Sequence, residues 1–156
     1  MRQHAVLLAG LAILGLPGPR PTSPPPAPPI AVVVHPDNPT DDLTLEELRR
    51  LYLGRSTTFG DGTSVVLLEL PGLRRAFYKA ALGMAEDRVR RHWVTIAFQG
   101  DLAIPPREVT AVAAMLSEVA STRGAIGFLA STDADESVKA LTIDGLHPGD
   151  AGYPLH

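Results

Sequence analysis

The 156-residue sequence contains no cysteine, only two lysines, and few aromatic residues (5%). Without cysteine it can form no disulfide, no thiolate zinc site, no iron–sulfur cluster and no cysteine nucleophile. Its formal net charge of −3 argues against nucleic-acid binding, because a surface that binds nucleic acid has to be basic. The apolar (45%) and charged (20%) fractions are typical of a soluble globular protein, and the length suits a single domain.

The amino-terminal segment contains an apolar run that is too short to span a bilayer. Residues 5–16 include no charged or polar side chain. Twelve helical residues extend about 18 Å, whereas the hydrocarbon core of a membrane is about 30 Å thick. The run has the length of a signal-peptide hydrophobic region, and Met1, Arg2 and His4 give it a weakly positive start. We predict a signal peptide or uncleaved anchor at residues 1–16 and an extracytoplasmic protein, periplasmic or secreted, whose membrane contact is limited to this segment.

The rest of the chain divides into a linker, a domain and a tail. Residues 17–29 contain eight prolines, which favour an extended polyproline linker without a packed core. Residues 30–145 alternate between apolar runs and amphipathic stretches, as expected of one folded domain. Residues 146–156 are rich in glycine and proline and predict an irregular tail.

The clearest local signal is a helix over residues 45–53. Thr44 and Glu47 have the spacing of a capping box, and Gly54 supplies a left-handed stop. The apolar β-branched run at residues 30–34 predicts a buried strand before this helix. Apolar patterning then predicts a strand at 64–70, helices at 71–83, 85–98 and 106–121, and strands at 125–130 and 138–143. This order predicts an α/β fold, a three-layer sandwich with a small mixed sheet.

The sequence shows no catalytic apparatus. It has neither a G-x-S-x-G nucleophile elbow nor a glycine-rich phosphate loop followed by lysine. His35, His92 and His147 lie far apart and lack carboxylates at metal-ligand spacing. Arg88, Arg90 and Arg91 spread around a helix, which is typical of a solvated face. We therefore expect no enzyme activity, no metal and no cofactor.

Two stretches of the sequence resemble the solute-binding proteins of phosphate ABC transporters. Residues 31–39 (AVVVHPDNP) are followed by residues 43–54 (LTLEELRRLYLG), as in that family, where a strand ending near Asn-Pro leads into such a helix. Thr57, Thr58 and Phe59 match the turn that follows it. Further matches are residues 75–78 (RAFY), 82–84 (LGM), 124–128 (GAIGF) and 138–141 (VKAL). The resemblance covers about residues 30–145 and identifies the chain as a short single-lobe relative, resembling one lobe of a type II periplasmic binding protein.

The same resemblance implies where an anion would bind. In the family an arginine and a Ser-Gly-Thr run at a helix start hold the ligand. The three run positions here are Pro71, Gly72 and Leu73, and Glu69 adds negative charge nearby. The resemblance thus implies a site at the beginning of this helix, with Gly72, Arg74 and Arg75 as the candidate anion-binding residues.

Two functions follow from the resemblance. One is an exported, non-catalytic solute-binding-like protein that binds phosphate or another small oxyanion and works with an ABC permease or other envelope protein. The alternative is an extracytoplasmic interaction or scaffold module that has kept the lobe and lost ligand binding. In that case a second lobe could come from another chain or a second copy.

Overall fold

A computed structural model describes Gly18 and residues 22–156. The predicted signal or anchor at residues 1–16 and part of the predicted linker lie outside the described residues. Residues 22–29 form neither helix nor strand, and 22–28 are exposed. No helix of the described part of the chain is long and apolar enough to cross a membrane.

The elements, in chain order, are β1 (Ile30–Val34), β2 (Asp42–Leu43), α1 (Leu45–Tyr52), β3 (Val66–Glu69), α2 (Pro71–Phe77) with a π-helical continuation (Tyr78–Leu82), α3 (Glu86–Phe98), β4 (Arg107–Glu108), α4 (Val112–Ser121), β5 (Ala125–Ala130), a 3₁₀ turn (Ser131–Asp133), β6 (Lys139–Ala140) and β7 (Thr142–Ile143).

A mixed five-stranded sheet organises the molecule, with strand order β4-β3-β5-β1-β6. Strand β3 runs parallel to both β4 and β5, whereas β1 is antiparallel to β5 and β6. Strands β2 and β7 form a separate parallel pair. The predicted α/β class with a small mixed sheet is confirmed.

Helices cover both faces of this sheet. On one face Phe77 of α2 stacks on Phe128 of β5 with ring centroids 3.9 Å apart, and Tyr52 of α1 lies 4.8 Å from Phe77. Successive residues of a strand point to opposite faces, so Gly127 lies on the other face. There a Cβ at position 127 would sit 2.5 Å from Sδ of Met115 in α4. The result is the predicted three-layer arrangement.

Helix α1 forms as its local sequence predicts. The Thr44 hydroxyl accepts a hydrogen bond from the Glu47 amide (3.1 Å), and the Glu47 carboxylate accepts one from the Thr44 amide (2.8 Å). These two bonds are the predicted capping box. The helix ends at Tyr52, one residue earlier than predicted, and Gly54 adopts the left-handed conformation with φ of 68°.

The predicted helix at residues 106–121 is wrong in its first third. Residues 107–108 form strand β4 instead, and the amide of Val109 donates to the carbonyl of Glu69 (2.8 Å). Pairing with β3 buries Val109 and satisfies the backbone of both segments, so α4 begins only at Val112. Met115 in the second turn of α4 is a fully buried core residue.

Other boundaries also differ from the sequence predictions. The strand predicted at 64–70 is β3, which begins at Val66, and the helix predicted at 71–83 changes from α to π geometry after Phe77. The strand predicted at 138–143 divides at Leu141, because β6 pairs with β1 while β7 pairs with β2. Residues 146–156 contain no helix or strand, but Tyr153 is buried and its hydroxyl donates to the carbonyl of Ile30 (2.7 Å).

Candidate functional site

A buried glutamate lies at the carboxyl end of β3. Glu69 is the last residue of that strand and only 8% exposed. One of its carboxylate oxygens accepts a hydrogen bond from Nη1 of Arg74 (2.8 Å), and the other accepts from the hydroxyl of Tyr78. A carboxylate taken out of water needs such donors, and α2 with its π-helical continuation supplies both.

Arg74 bridges this glutamate to two further carboxylates. Its Nη1 lies 3.1 Å from Oε2 of Glu108 on β4, and its Nε lies 3.8 Å from Oε2 of Glu86 at the start of α3. The hydrogen bond to Glu69 raises the pKa of Arg74 above its ordinary value. Burial, followed by the hydrogen bond to Glu69, raises the pKa of Tyr78, so its hydroxyl stays protonated and acts as a donor.

These groups line a cleft of about 360 Å³, which we call the acidic cleft and define by Glu69, Arg74, Glu86 and Glu108. Its remaining lining includes Arg90, Trp93 and the two prolines at 105 and 106. Three carboxylates face two guanidinium groups, so the cleft carries an excess of negative charge. The indole N–H of Trp93 is buried and has no hydrogen-bond partner among the described residues.

A second, more open cleft has the opposite charge. It has a volume of about 950 Å³, and we call it the basic cleft, defined by Arg75, Lys79 and Arg90. Among the described residues none of these three cations takes part in an ion pair. The two carboxylates on its wall are already engaged, Glu86 near Arg74 and Asp87 at 2.8 Å from Arg91. Helix α3 begins at its edge, and the positive end of the helix dipole favours an anion there.

The predicted anion-binding residues separate in the structure. Gly72 is exposed at the second position of α2, Arg74 lines the acidic cleft, and Arg75 lines the basic cleft. Adjacent residues of a helix point about 100° apart, so Arg74 and Arg75 cannot easily serve one ligand together. Lys79 and Arg90 line the basic cleft with Arg75, although the sequence pointed to no role for Lys79 and to a solvated face for Arg90. The four-residue spacing of Arg75 and Lys79 was the available signal, since such residues share a helix face.

Two of the histidines within the described residues make ring hydrogen bonds to the backbone. The ring Nδ1 of His35 accepts a hydrogen bond from the amide of Asp37 (3.0 Å), and Nε2 of His92 lies 2.8 Å from the carbonyl oxygen of Leu53. Over Gly18 and residues 22–156 no group of three or more His, Asp or Glu side chains has the geometry of a metal site.

The fold is similar to that of several solved proteins. The chain is similar to a protein from Clostridium perfringens named as a phosphate ABC transporter substrate-binding protein, solved with phosphate bound (TM-score 0.63, 23% identity). It is also similar to an ABC-type phosphate transport receptor from Vibrio cholerae (0.63, 22%) and to PstS from Borrelia burgdorferi (0.62, 11%). Each alignment covers 78% of this chain. The chain has the fold of one periplasmic-binding-protein lobe.

The likeness extends over only part of the matched proteins. The lobe aligns with 47%, 48% and 49% of the lengths of the three proteins, so it spans about half of each. No protein-family model matches the chain. At these sequence identities the comparison establishes the fold, which agrees with the resemblance to a short single-lobe relative.

Proposed function

We propose that the protein is a non-catalytic, extracytoplasmic solute-binding protein that binds a small oxyanion such as phosphate in the basic cleft. The observation that carries this proposal is the convergence of Arg75, Lys79 and Arg90 on one cleft, without ion-pair partners among the described residues. The names of the solved proteins with this fold support phosphate as the first anion to test and an ABC permease as partner.

The basic cleft suits an anion better than the surroundings of Arg74 do. An oxyanion next to Arg74 would also face Glu69, Glu86 and Glu108, and the like charges would oppose its binding. Pro71 has no amide hydrogen, so the start of α2 offers one donor fewer. Of the three residues implied by the family resemblance, Arg75 is therefore the one we retain as an anion ligand.

Binding can be tested with the full chain. We expect phosphate to raise the melting temperature, because a ligand at 100 times its dissociation constant adds about 2.7 kcal/mol to the free energy of unfolding. Sulfate and molybdate complete the panel, and calorimetry gives the affinities. We expect Arg75→Gln combined with Lys79→Gln to weaken binding about tenfold or more.

Arg88→Gln is the matched control for these variants. Combined with Arg55→Gln, it removes the same two positive charges from exposed positions that line neither cleft. If the double variant and this control lose the same amount of oxyanion affinity, the effect comes from net charge alone. That result would contradict the proposed site. The absence of a thermal shift with every oxyanion would contradict oxyanion binding itself.

A second candidate function is an extracytoplasmic interaction module that has kept the lobe without its ligand. The observation that favours it is an exposed apolar segment at the end of α3, which includes Phe98 and Leu102. Large exposed apolar patches are typical of protein–protein contacts. A module of this kind would show no thermal shift with oxyanions, and an Asp substitution at Phe98 would abolish capture of its envelope partner.

A further inference from the structure

Glu86 and Arg90 form a wall that the two clefts share. Both residues line the acidic cleft and the basic cleft, so the clefts adjoin along this part of α3. They are four residues apart in the helix, which puts their side chains on one face with Cβ atoms about 5–6 Å apart. A negative and a positive charge therefore lie side by side at the edge of the basic cleft.

The carboxylate of Glu86 can accept a further donor. It lies 3.8 Å from Nε of Arg74, which is too long for a hydrogen bond. Arg74 donates its hydrogen bonds to Glu69 and Glu108 instead. The Glu86 side chain is 32% exposed, so a ligand in the basic cleft can reach it.

We propose that the basic cleft binds a phosphate monoester that also carries an ammonium group, such as phosphoethanolamine, and that Glu86 binds the ammonium group. This inference rests on the proposed function and names the class of its ligand. Free phosphate bound to Arg90 would face the carboxylate of Glu86, and the two negative charges would repel each other. An ammonium group a few bonds from the phosphate converts this repulsion into a charge-assisted hydrogen bond.

The dimensions and lining of the basic cleft also favour an organic phosphate. Its volume of about 950 Å³ lies at the upper end of the range for small-molecule sites and exceeds what a four-oxygen anion fills. Residues 83–85 contribute to its lining, and Met84 among them is partly buried against the core. They offer a wall to the carbon chain of the ligand, while Arg75, Lys79 and Arg90 bind its phosphate.

The three cations favour a free monoester over a lipid headgroup. A phosphate monoester carries close to two negative charges at about pH 7.5, whereas the phosphodiester of a phospholipid carries a single one. Arg75, Lys79 and Arg90 have no ion-pair partner among the described residues, so they can compensate the higher charge.

Calorimetry on the full chain tests the ammonium contact. The titrants are phosphoethanolamine, ethyl phosphate, which lacks the ammonium group, and glycerophosphoethanolamine, a soluble form of the lipid headgroup. We expect phosphoethanolamine to bind about tenfold more tightly than either of the others. In Glu86→Gln its preference over ethyl phosphate should disappear, while ethyl phosphate should bind at least as tightly as before. Glu136→Gln removes the same charge from an exposed position that lines neither cleft, and it should keep the preference.

The outcomes separate this inference from the proposed function. Equal affinities for phosphoethanolamine and ethyl phosphate would overturn the ammonium contact and leave oxyanion binding intact. A preference that persists in Glu86→Gln would also overturn it, because another group would then hold the ammonium. Equal or tighter binding of glycerophosphoethanolamine would overturn the choice of a monoester and identify a lipid headgroup as the source. If no phosphate compound binds, the proposed function fails together with this inference.

Discussion

Replacing Arg74 should destabilise the fold, because this residue is an internal structural cation. In Arg74→Gln the carboxylate of Glu69 loses a charged donor at 2.8 Å, and its side chain is only 11% exposed. Breaking a buried ion pair costs about 3–5 kcal/mol. The Arg74 side chain is 24% exposed, so solvent screening reduces the cost, and we expect a loss of about 2–3 kcal/mol in the free energy of unfolding.

Urea denaturation measures this loss directly. With a slope near 2 kcal/mol/M, typical of about this size, the midpoint should fall by about 1–1.5 M. Arg75→Gln is the matched control. Arg75 follows Arg74 on the same helix, is exposed and has no ion-pair partner among the described residues, so its replacement should change the free energy of unfolding by less than about 0.5 kcal/mol.

A double-mutant cycle identifies the partner responsible. Glu69→Gln should also destabilise the protein, and the pair Glu69→Gln with Arg74→Gln should lose less than the sum of the single losses by about 1–3 kcal/mol. Equal midpoints for Arg74→Gln and Arg75→Gln would refute the structural role of Arg74. Additive losses in the cycle would show that Glu69 is not its main partner.

Three further predictions concern packing, ionisation and export. Gly124→Ala should cost about 1–3 kcal/mol of stability, because its Cβ would lie 2.0 Å from the backbone carbonyl oxygen of Ser64. A Cβ at Gly72 meets open space, so Gly72→Ala should leave the melting temperature nearly unchanged. The amide and hydroxyl of Thr63 hold the pKa of Asp61 below its ordinary value. The stability from this carboxylate is therefore present above the unfolded-state pKa and lost as pH falls through the folded-state pKa. Carbon-13 NMR titration should show a depressed midpoint that rises in Thr63→Val, and an unchanged midpoint would contradict the assignment. A reporter fused to the protein should leave the cytoplasm only when residues 1–16 are present, and export of the truncated form would disprove the predicted signal.

The two clefts carry opposite charge, which bears on the proposed oxyanion binding. They share Glu86 and Arg90 on α3, but Arg74 is neutralised in one cleft while Arg75 and Lys79 are open in the other. An arginine that is already bonded to a buried carboxylate is a poor ligand for an incoming anion, because the new contact would have to replace the old one. Arg75 and Lys79, rather than Arg74, are therefore the residues to vary first in binding experiments.

Local sequence signals were sufficient to predict several helices and strands correctly. The capping box of α1, the β-branched run of β1 and the residues of β5 each define an element whose observed bounds lie within one residue of the prediction. Residues 106–121 and 138–143 were mispredicted, because pairing with distant strands decides their conformation. Strand β4 forms against β3, nearly forty residues earlier in the chain, and β6 and β7 part because they pair with different strands.

The sequence by itself determined the α/β class, the order of most elements and one cation, Arg75, of the proposed anion site. Those properties depend on the spacing of residues within short stretches of the chain, and this spacing can be read directly from the sequence. Only the tertiary structure decided that Arg74 is held by carboxylates from β3, α3 and β4, while Arg75 joins Lys79 and Arg90 in an open cleft. Charges act through space, so which cation is neutralised and which stays available depends on elements that meet only when the chain is folded.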